Sequence, residues 1–145
     1  MKTETVNAIS SLITIHHDRC AGYEQAAQTT TDPELKVLFN YLSKQSKEFT
    51  AELAECVKKQ DPAVAKQVIV PDSNISLSEN NTLLAGDRIQ VLSSCEFKED
   101  AAKRTYDDVM EHTEAISEEM YEIMCKQRTE LHRTHSTVRS MYFSF

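Results

Sequence analysis

Four polar side chains interrupt otherwise apolar helical stripes, and their types make them the residues best suited to chemistry. His16, Gln45, Glu99 and Gln127 each stand where the spacing of a helix face calls for an apolar core residue. All four lie at a similar distance from the predicted turns, ~21 Å at 1.5 Å per residue. A carboxylate, an imidazole and two amides at one level can bind a metal ion or form a buried hydrogen-bond network.

A tyrosine follows two of these residues on the same helix face. Tyr23 stands seven residues after His16, and Tyr106 stands seven residues after Glu99. Seven residues are about two turns, so each pair shares a face. Each half of the chain also carries a Lys-Gln pair midway along its second helix, which indicates an internal repeat. The core spacing favours packed phenols with bonded hydroxyls over a redox role.

The candidate metal ligands are Glu99 and His16, joined by Glu48 and Glu130, which follow the two glutamines at i+3. These oxygen and nitrogen donors suit one divalent ion such as iron, zinc or manganese. A full di-iron centre is not expected, because two iron ions need roughly four carboxylates to balance their charge. The alternative is a metal-free layer in which the amides and the imidazole donate hydrogen bonds to the Glu99 carboxylate.

Four long amphipathic helices are predicted to position these residues. Asp32 and Pro33 form an N-cap and a first helical residue, and Ser76 with Glu79 forms a capping box. Residues 61–75 show no helical period, and we expect them to form a linker. The predicted helices span about residues 3–29, 33–60, 76–111 and 114–140.

The connection lengths predict how these helices are arranged. The first and last connections are a few residues long, so each joins an antiparallel hairpin. The linker 61–75, which begins where Pro62 is expected to end the second helix, reaches ~50 Å when extended. A helix of about 27 residues is ~40 Å long, so the linker can span the bundle. We therefore expect an all-α, ferritin-like four-helix bundle in one domain of residues 1–145, with two hairpins joined by a long crossover.

Composition argues against several functional classes. The 23 acidic residues against 16 Lys and Arg give a net charge of −7, which disfavours nucleic acid or an anionic membrane as partner. Two glycines leave little for a nucleotide-binding loop, and no G-x-S-x-G motif indicates nucleophilic catalysis. No apolar run approaches the ~18 residues of a membrane span, and the first residues do not resemble a secretory signal. Four cysteines without C-x-x-C spacing predict reduced thiols and the cytoplasm: Cys20, Cys56, Cys95 and Cys125.

Nearly the whole chain outside residues 61–75 resembles the ferritin-like superfamily, and within it a bacterial ferritin-like family that is a domain of unknown function. The resemblance is carried by four stretches: HHDRCAGYEQAAQ, DPELKVLFNYLSKQSKEFTAEL, CEFKEDAAKRTYDDV and KQRTELHRTHSTVRS. It implies the same four-helix fold.

In di-iron members of the superfamily, the first and third helices each give a Glu with a Tyr seven residues later, and the other two give Glu-x-x-His. Glu99 and Tyr106 match the third-helix pattern, whereas His16 replaces the Glu ahead of Tyr23. Neither Glu-x-x-His position keeps its residue types. The sequences there are Gln45-x-x-Glu48 and Gln127-x-x-Glu130. The resemblance therefore implies a member without a complete di-iron centre.

Three functions remain open at this point. The first is a non-catalytic ferritin-like bundle of the cytoplasm that acts in a stress response through protein contacts. The second is a metal-binding or oxidant-handling protein with a reduced site around Glu99 and His16. The third is a purely structural or interaction module whose polar layer only sets helix register. The apolar residues 141–145 favour a homodimer, because such a tail can cover a partner subunit.

Overall fold

The chain folds as a set of α-helices. The computed structural model describes residues 3–69, 87–112 and 116–143, and within these ranges there is no strand. The prediction of an all-α protein is therefore confirmed at that level. None of the described helices is both long and apolar enough to cross a membrane. The described ranges contain five helices: α1 (Thr3–Thr29), α2 (Pro33–Gln60), α3 (Pro62–Ile69), α4 (Arg88–His112) and α5 (Glu118–Phe143).

The turn between α1 and α2 forms as its local sequence predicts. The side chain of Asp32 accepts hydrogen bonds from the backbone N–H groups of Glu34 and Leu35, at 3.0 and 3.3 Å, and Pro33 takes the first helical position. Both predicted helices, 3–29 and 33–60, have the predicted bounds. The Arg88 guanidinium donates to the Asp32 carboxylate at 2.6 Å, so the same residue also holds the start of α4.

The expectation of a helix-free linker over 61–75 is wrong for its first part, where α3 lies. Asp61 ends α2 with its N–H bonded to the Val57 carbonyl at 2.8 Å. Its side chain also accepts from the Val64 N–H at 3.3 Å and so caps α3. Pro62 therefore follows the end of α2 and is also the first residue of α3, because the first helical position needs no N–H donor. Two turns are too short to give a recognisable period.

The start predicted for the third helix is also wrong. Residue 87 is not helical, and α4 begins at Arg88. The Asp87 carboxylate accepts from the Gln90 N–H at 2.9 Å, which makes it the N-cap. The proposed capping box of Ser76 and Glu79 lies outside the described residues.

The last helix is displaced from its predicted span of 114–140. It begins at Glu118, because the Ser117 hydroxyl caps it by accepting from the Met120 N–H at 3.1 Å. It continues to Phe143. Of the apolar tail 141–145, Met141 packs against core residues, while residues 144 and 145 lie outside the described part.

The buried apolar side chains of the described helices form two clusters. The first core cluster includes Ile9 and Leu12 of α1, Leu53 of α2 and Met124 of α5. The second core cluster contains these buried residues: Tyr23, Ala27, Leu35, Leu38, Phe39, Leu42, Leu92, Cys95 and Val138. Along the chain, α1 and α5 pass from the first cluster to the second, and α2 and α4 pass from the second to the first. Therefore α2 and α4 run in the same sense. The closest packing joins α1 to α2 and α4 to α5.

Ala65 docks the short helix α3 onto the first core cluster, where it is 5% exposed. We predict that Ala65→Asp lowers the free energy of unfolding by about 1–3 kcal/mol, because it buries a charge without a partner. Ala63→Asp is the matched control, since Ala63 is exposed on the same helix and its replacement should change stability by less than about 0.5 kcal/mol. Urea denaturation followed by circular dichroism measures both. Equal effects of the two substitutions would contradict the docking.

Candidate functional site

A polar layer separates the two core clusters at the middle of the four long helices. The structure places all six predicted members of the layer in the interior and adds three more, Arg19, Ser46 and Thr134. None of their buried side-chain nitrogen or oxygen atoms lacks a hydrogen-bond partner. The polar layer consists of His16, Arg19, Tyr23, Gln45, Ser46, Glu99, Tyr106, Gln127 and Thr134.

A buried ion pair between Arg19 of α1 and Glu99 of α4 lies at its centre. The guanidinium Nη2 donates to Glu99 Oε1 at 2.6 Å, and Nε donates to Oε2 at 3.0 Å. The Tyr23 hydroxyl adds a third bond, to Oε2 at 2.6 Å. The two charged side chains are only 2% and 0% exposed. The expectation that the amides and the imidazole bond this carboxylate is therefore wrong, because a guanidinium and a phenol take both oxygens.

The same guanidinium bonds α2 directly and is linked to α5 through Gln45. Nη1 donates to the Ser46 hydroxyl at 2.7 Å, and Nη2 donates to Gln45 Oε1 at 3.1 Å, both on α2. The Gln45 amide in turn donates to Thr134 Oγ1 of α5 at 3.2 Å. Burial alone would lower the pKa of Arg19, but the charge and hydrogen bond of Glu99 raise it. Arg19 is therefore a fixed cation that connects all four long helices.

A second chain of hydrogen bonds runs through His16, and chemistry fixes its direction. The Gln127 amide donates to the Phe49 carbonyl at 3.2 Å, so its Oε1 faces Tyr106 and accepts the phenol proton at 2.7 Å. A phenol has one proton, so the 2.5 Å contact requires His16 Nε2 to donate to the Tyr106 oxygen. In a neutral imidazole, Nδ1 is then the acceptor, and it receives the Ser46 hydroxyl proton at 3.2 Å.

Burial makes this layer resistant to ionisation changes. It lowers the pKa of His16 well below its ordinary value of 6.5, helped by the positive charge of Arg19. It raises the pKa of the Tyr106 phenol, and that of Tyr23 with the added effect of Cys95 and Glu99. Burial also raises the pKa of the Cys95 thiol to about 12. Around neutral pH, the polar layer therefore contains the Arg19–Glu99 ion pair, and its other side chains are neutral.

The tyrosines pair across the internal repeat. Tyr23 of the first half bonds Glu99 of the second half, and Tyr106 of the second half bonds His16 of the first. Glu99, which Tyr23 bonds, stands seven positions before Tyr106. His16, which Tyr106 bonds, stands seven positions before Tyr23. The two phenols occupy equivalent places, and the residues they bond differ: one carboxylate and one imidazole.

The structure does not bring the four candidate metal ligands into one group. Glu48 and Glu130 line a groove between α2 and α5 whose lining includes neither His16 nor Glu99. Among the described residues, no three His, Cys, Asp or Glu side chains are arranged to hold a metal ion. The donors do not fit a di-iron centre either, because both Glu99 oxygens already accept bonds from the chain itself. This α2–α5 groove has a volume of about 280 Å³ and is lined by Tyr41, Lys44, Gln45, Glu48, Phe49, Glu52, Lys126 and Glu130.

Sequence reasoning missed Arg19, the central residue of the layer. Its spacing carries a signal, since it lies three residues after His16 and four before Tyr23, on their stripe. The apolar stripe favours Cys20 instead as the core residue. The structure buries Arg19 to 4% exposure and leaves Cys20 half-buried.

Residues 4–112 match the protein family described as "Domain of unknown function (DUF2383)", and the chain belongs to this family. No curated protein matches the chain.

We predict that Arg19→Met lowers the free energy of unfolding by about 3–5 kcal/mol, because it leaves the Glu99 carboxylate buried without its cation. The double variant Arg19→Met/Glu99→Gln should recover much of this loss, since neither charge then remains. Urea denaturation of the single and double variants measures the coupling. An Arg19→Met variant of wild-type stability would contradict the role of the ion pair.

We also predict that acid weakens the fold through His16. Its folded pKa is lowered, so below pH 6.5 the unfolded chain binds a proton that the folded chain does not. Stability present above ~6.5 is therefore lost as pH falls, by up to about 1.4 kcal/mol per pH unit. His16→Gln should remove this slope between about pH 6.5 and pH 5.5, where few carboxylates titrate. His132 is exposed, and His132→Gln is the control. An equal loss of the pH dependence of stability in His132→Gln would refute the assignment of that dependence to His16.

Proposed function

We propose that this member of the DUF2383 family is a ferritin-like four-helix bundle that acts as a non-catalytic binding scaffold in the cytoplasm. The direction of its helices supports the ferritin-like part of the proposal. In the described residues α2 and α4 run in the same sense, as the second and third helices of a ferritin-like bundle do. One long crossover between two hairpins is the ferritin-like connection.

The observation that supports an interior without a metal ion is that Arg19 donates hydrogen bonds to both carboxylate oxygens of Glu99. The guanidinium stands against the carboxylate that would otherwise bind a metal ion. A metal at Glu99 would have to displace this cation, and an unpaired buried guanidinium costs several kcal/mol. The ion pair therefore supports a layer that needs no metal for charge balance.

The hydrogen bonds of His16 and the protonation of Cys95 support a non-catalytic interior. Both His16 ring nitrogens are engaged, so neither is available as a general base. The raised pKa of the Cys95 thiol keeps it protonated, and a thiol is a poor nucleophile in that form. What remains for function is the surface, whose excess of acid favours a protein as partner over nucleic acid.

The cysteines support the proposed compartment. All four carry free thiols, and Cys56 and Cys95 are buried in the two core clusters. Proteins of oxidising compartments more often join such residues in disulfides.

Metal analysis tests the proposal. Protein purified without a histidine tag is loaded aerobically with iron(II), zinc or manganese, desalted and measured by plasma mass spectrometry. We expect less than about 0.1 equivalent of each metal, because the part of the chain that the structure describes holds no group of three His, Cys, Asp or Glu side chains suited to a metal ion.

The variants decide where any metal binds. Metal near one equivalent that is lost in Glu99→Gln would overturn the proposal in favour of a reduced core site. Metal lost only in Glu48→Gln or Glu130→Gln would overturn it in favour of a site in the α2–α5 groove. Glu122→Gln removes an exposed acid of α5 and is the control for the change in net charge.

A further inference from the structure

The outer side of the α2–α5 pair contains a recess. The α2–α5 groove opens there, and its floor contains Phe49 and Gln45, which are 5% and 6% exposed. Its volume is about 280 Å³. A cavity of ~150 Å³ already accommodates a benzene ring. The groove can therefore receive one aromatic side chain from outside.

Two large apolar side chains stand beside this groove. Tyr41 lines it and is 55% exposed, and Val37, one turn earlier on α2, is 71% exposed. Half-exposed tyrosines next to a pocket are typical anchors of protein interfaces. The same face therefore carries both a projection and a recess.

The charges around the groove bear on the kind of partner it fits. Two cations and three carboxylates line it, and a third cation, Arg133, pairs with Glu130 of the lining, so these six charges cancel although the chain carries −7. The two signs alternate at short range: Lys126 lies 3.8 Å from Glu52, and Arg133 lies 3.0 Å from Glu130. The six charged residues are Lys44, Glu48, Glu52, Lys126, Glu130 and Arg133.

We propose that this face is the contact between two copies of the chain, with Tyr41 of each copy entering the α2–α5 groove of the other. Two copies with charges of −7 repel each other, and a neutral face of mixed sign adds no further repulsion at the contact. A two-fold axis brings the same patch onto itself, so cations of one copy face carboxylates of the other. The inference rests on the proposed scaffold function and names its partner.

The extent of the face sets the strength of this dimer. From Val37 to Glu52 it is about 22 Å long at 1.5 Å per residue. Such a patch lies at the small end of specific interfaces, so we expect association that depends on concentration. The contact differs from the one expected from the tail 141–145, of which residues 144 and 145 lie outside the described part.

Sedimentation velocity tests the dimer on the full chain, from about 5 µM to about 500 µM. We expect the mass to rise from 16.5 kDa towards twice that value. Tyr41→Glu and Val37→Glu should each weaken association at least about tenfold, because they place a charge in the apolar contact. Both side chains are exposed, and circular dichroism should show wild-type helix content.

Phe97→Glu is the matched control. Phe97 is 77% exposed on α4, and its replacement should leave the mass of the dimer unchanged. A monomer at every concentration would overturn the inference, as would a dimer that resists Tyr41→Glu or responds equally to Phe97→Glu. Metal content is measured on the same samples. Stoichiometric metal refutes the proposed scaffold without changing the mass result, and a monomer refutes only the dimer.

Discussion

The rest of the interior depends on the buried ion pair between Arg19 and Glu99. Removing two charges from water costs several kcal/mol for each, and only close, well-directed partners offset that cost. The structure meets the requirement with bonds from Tyr23 to the carboxylate and from the guanidinium to Gln45 and Ser46. Because these partners come from different helices, satisfying the pair also fixes how the helices are positioned relative to one another.

The position of the layer explains why it can set helix register. It lies between two apolar clusters, each of which would tolerate some sliding of one helix along another, since apolar packing has little directionality. Hydrogen bonds are directional, so a shift by one turn would leave several buried groups without partners. The chain of bonds from Arg19 through Ser46, His16 and Tyr106 to Gln127 extends this constraint from the second cluster towards the first.

The internal repeat clarifies why the two halves differ at one position. Each half supplies a tyrosine that bonds the other half, but one bonds Glu99 and the other bonds His16. The layer contains one cation, Arg19, so one carboxylate balances its charge. The position equivalent to Glu99 in the first half is therefore suited to the neutral imidazole of His16. The hydrogen-bonding groups of the polar layer are then satisfied within the chain. That condition agrees with our proposal that partners bind at the surface, on the face around Tyr41.

The sequence by itself determined the helical fold, the bounds of α1 and α2, and six of the nine positions of the polar layer. These depend on local capping by Asp32 and on periodicity, which neighbouring residues encode. Only the tertiary structure decided that Arg19 rather than Cys20 faces inward, because adjacent helical residues differ by about 100° and packing sets the rotation. It also decided that Glu99 pairs with a residue 80 positions away. Such a partner depends on how two helices meet, which no local pattern encodes.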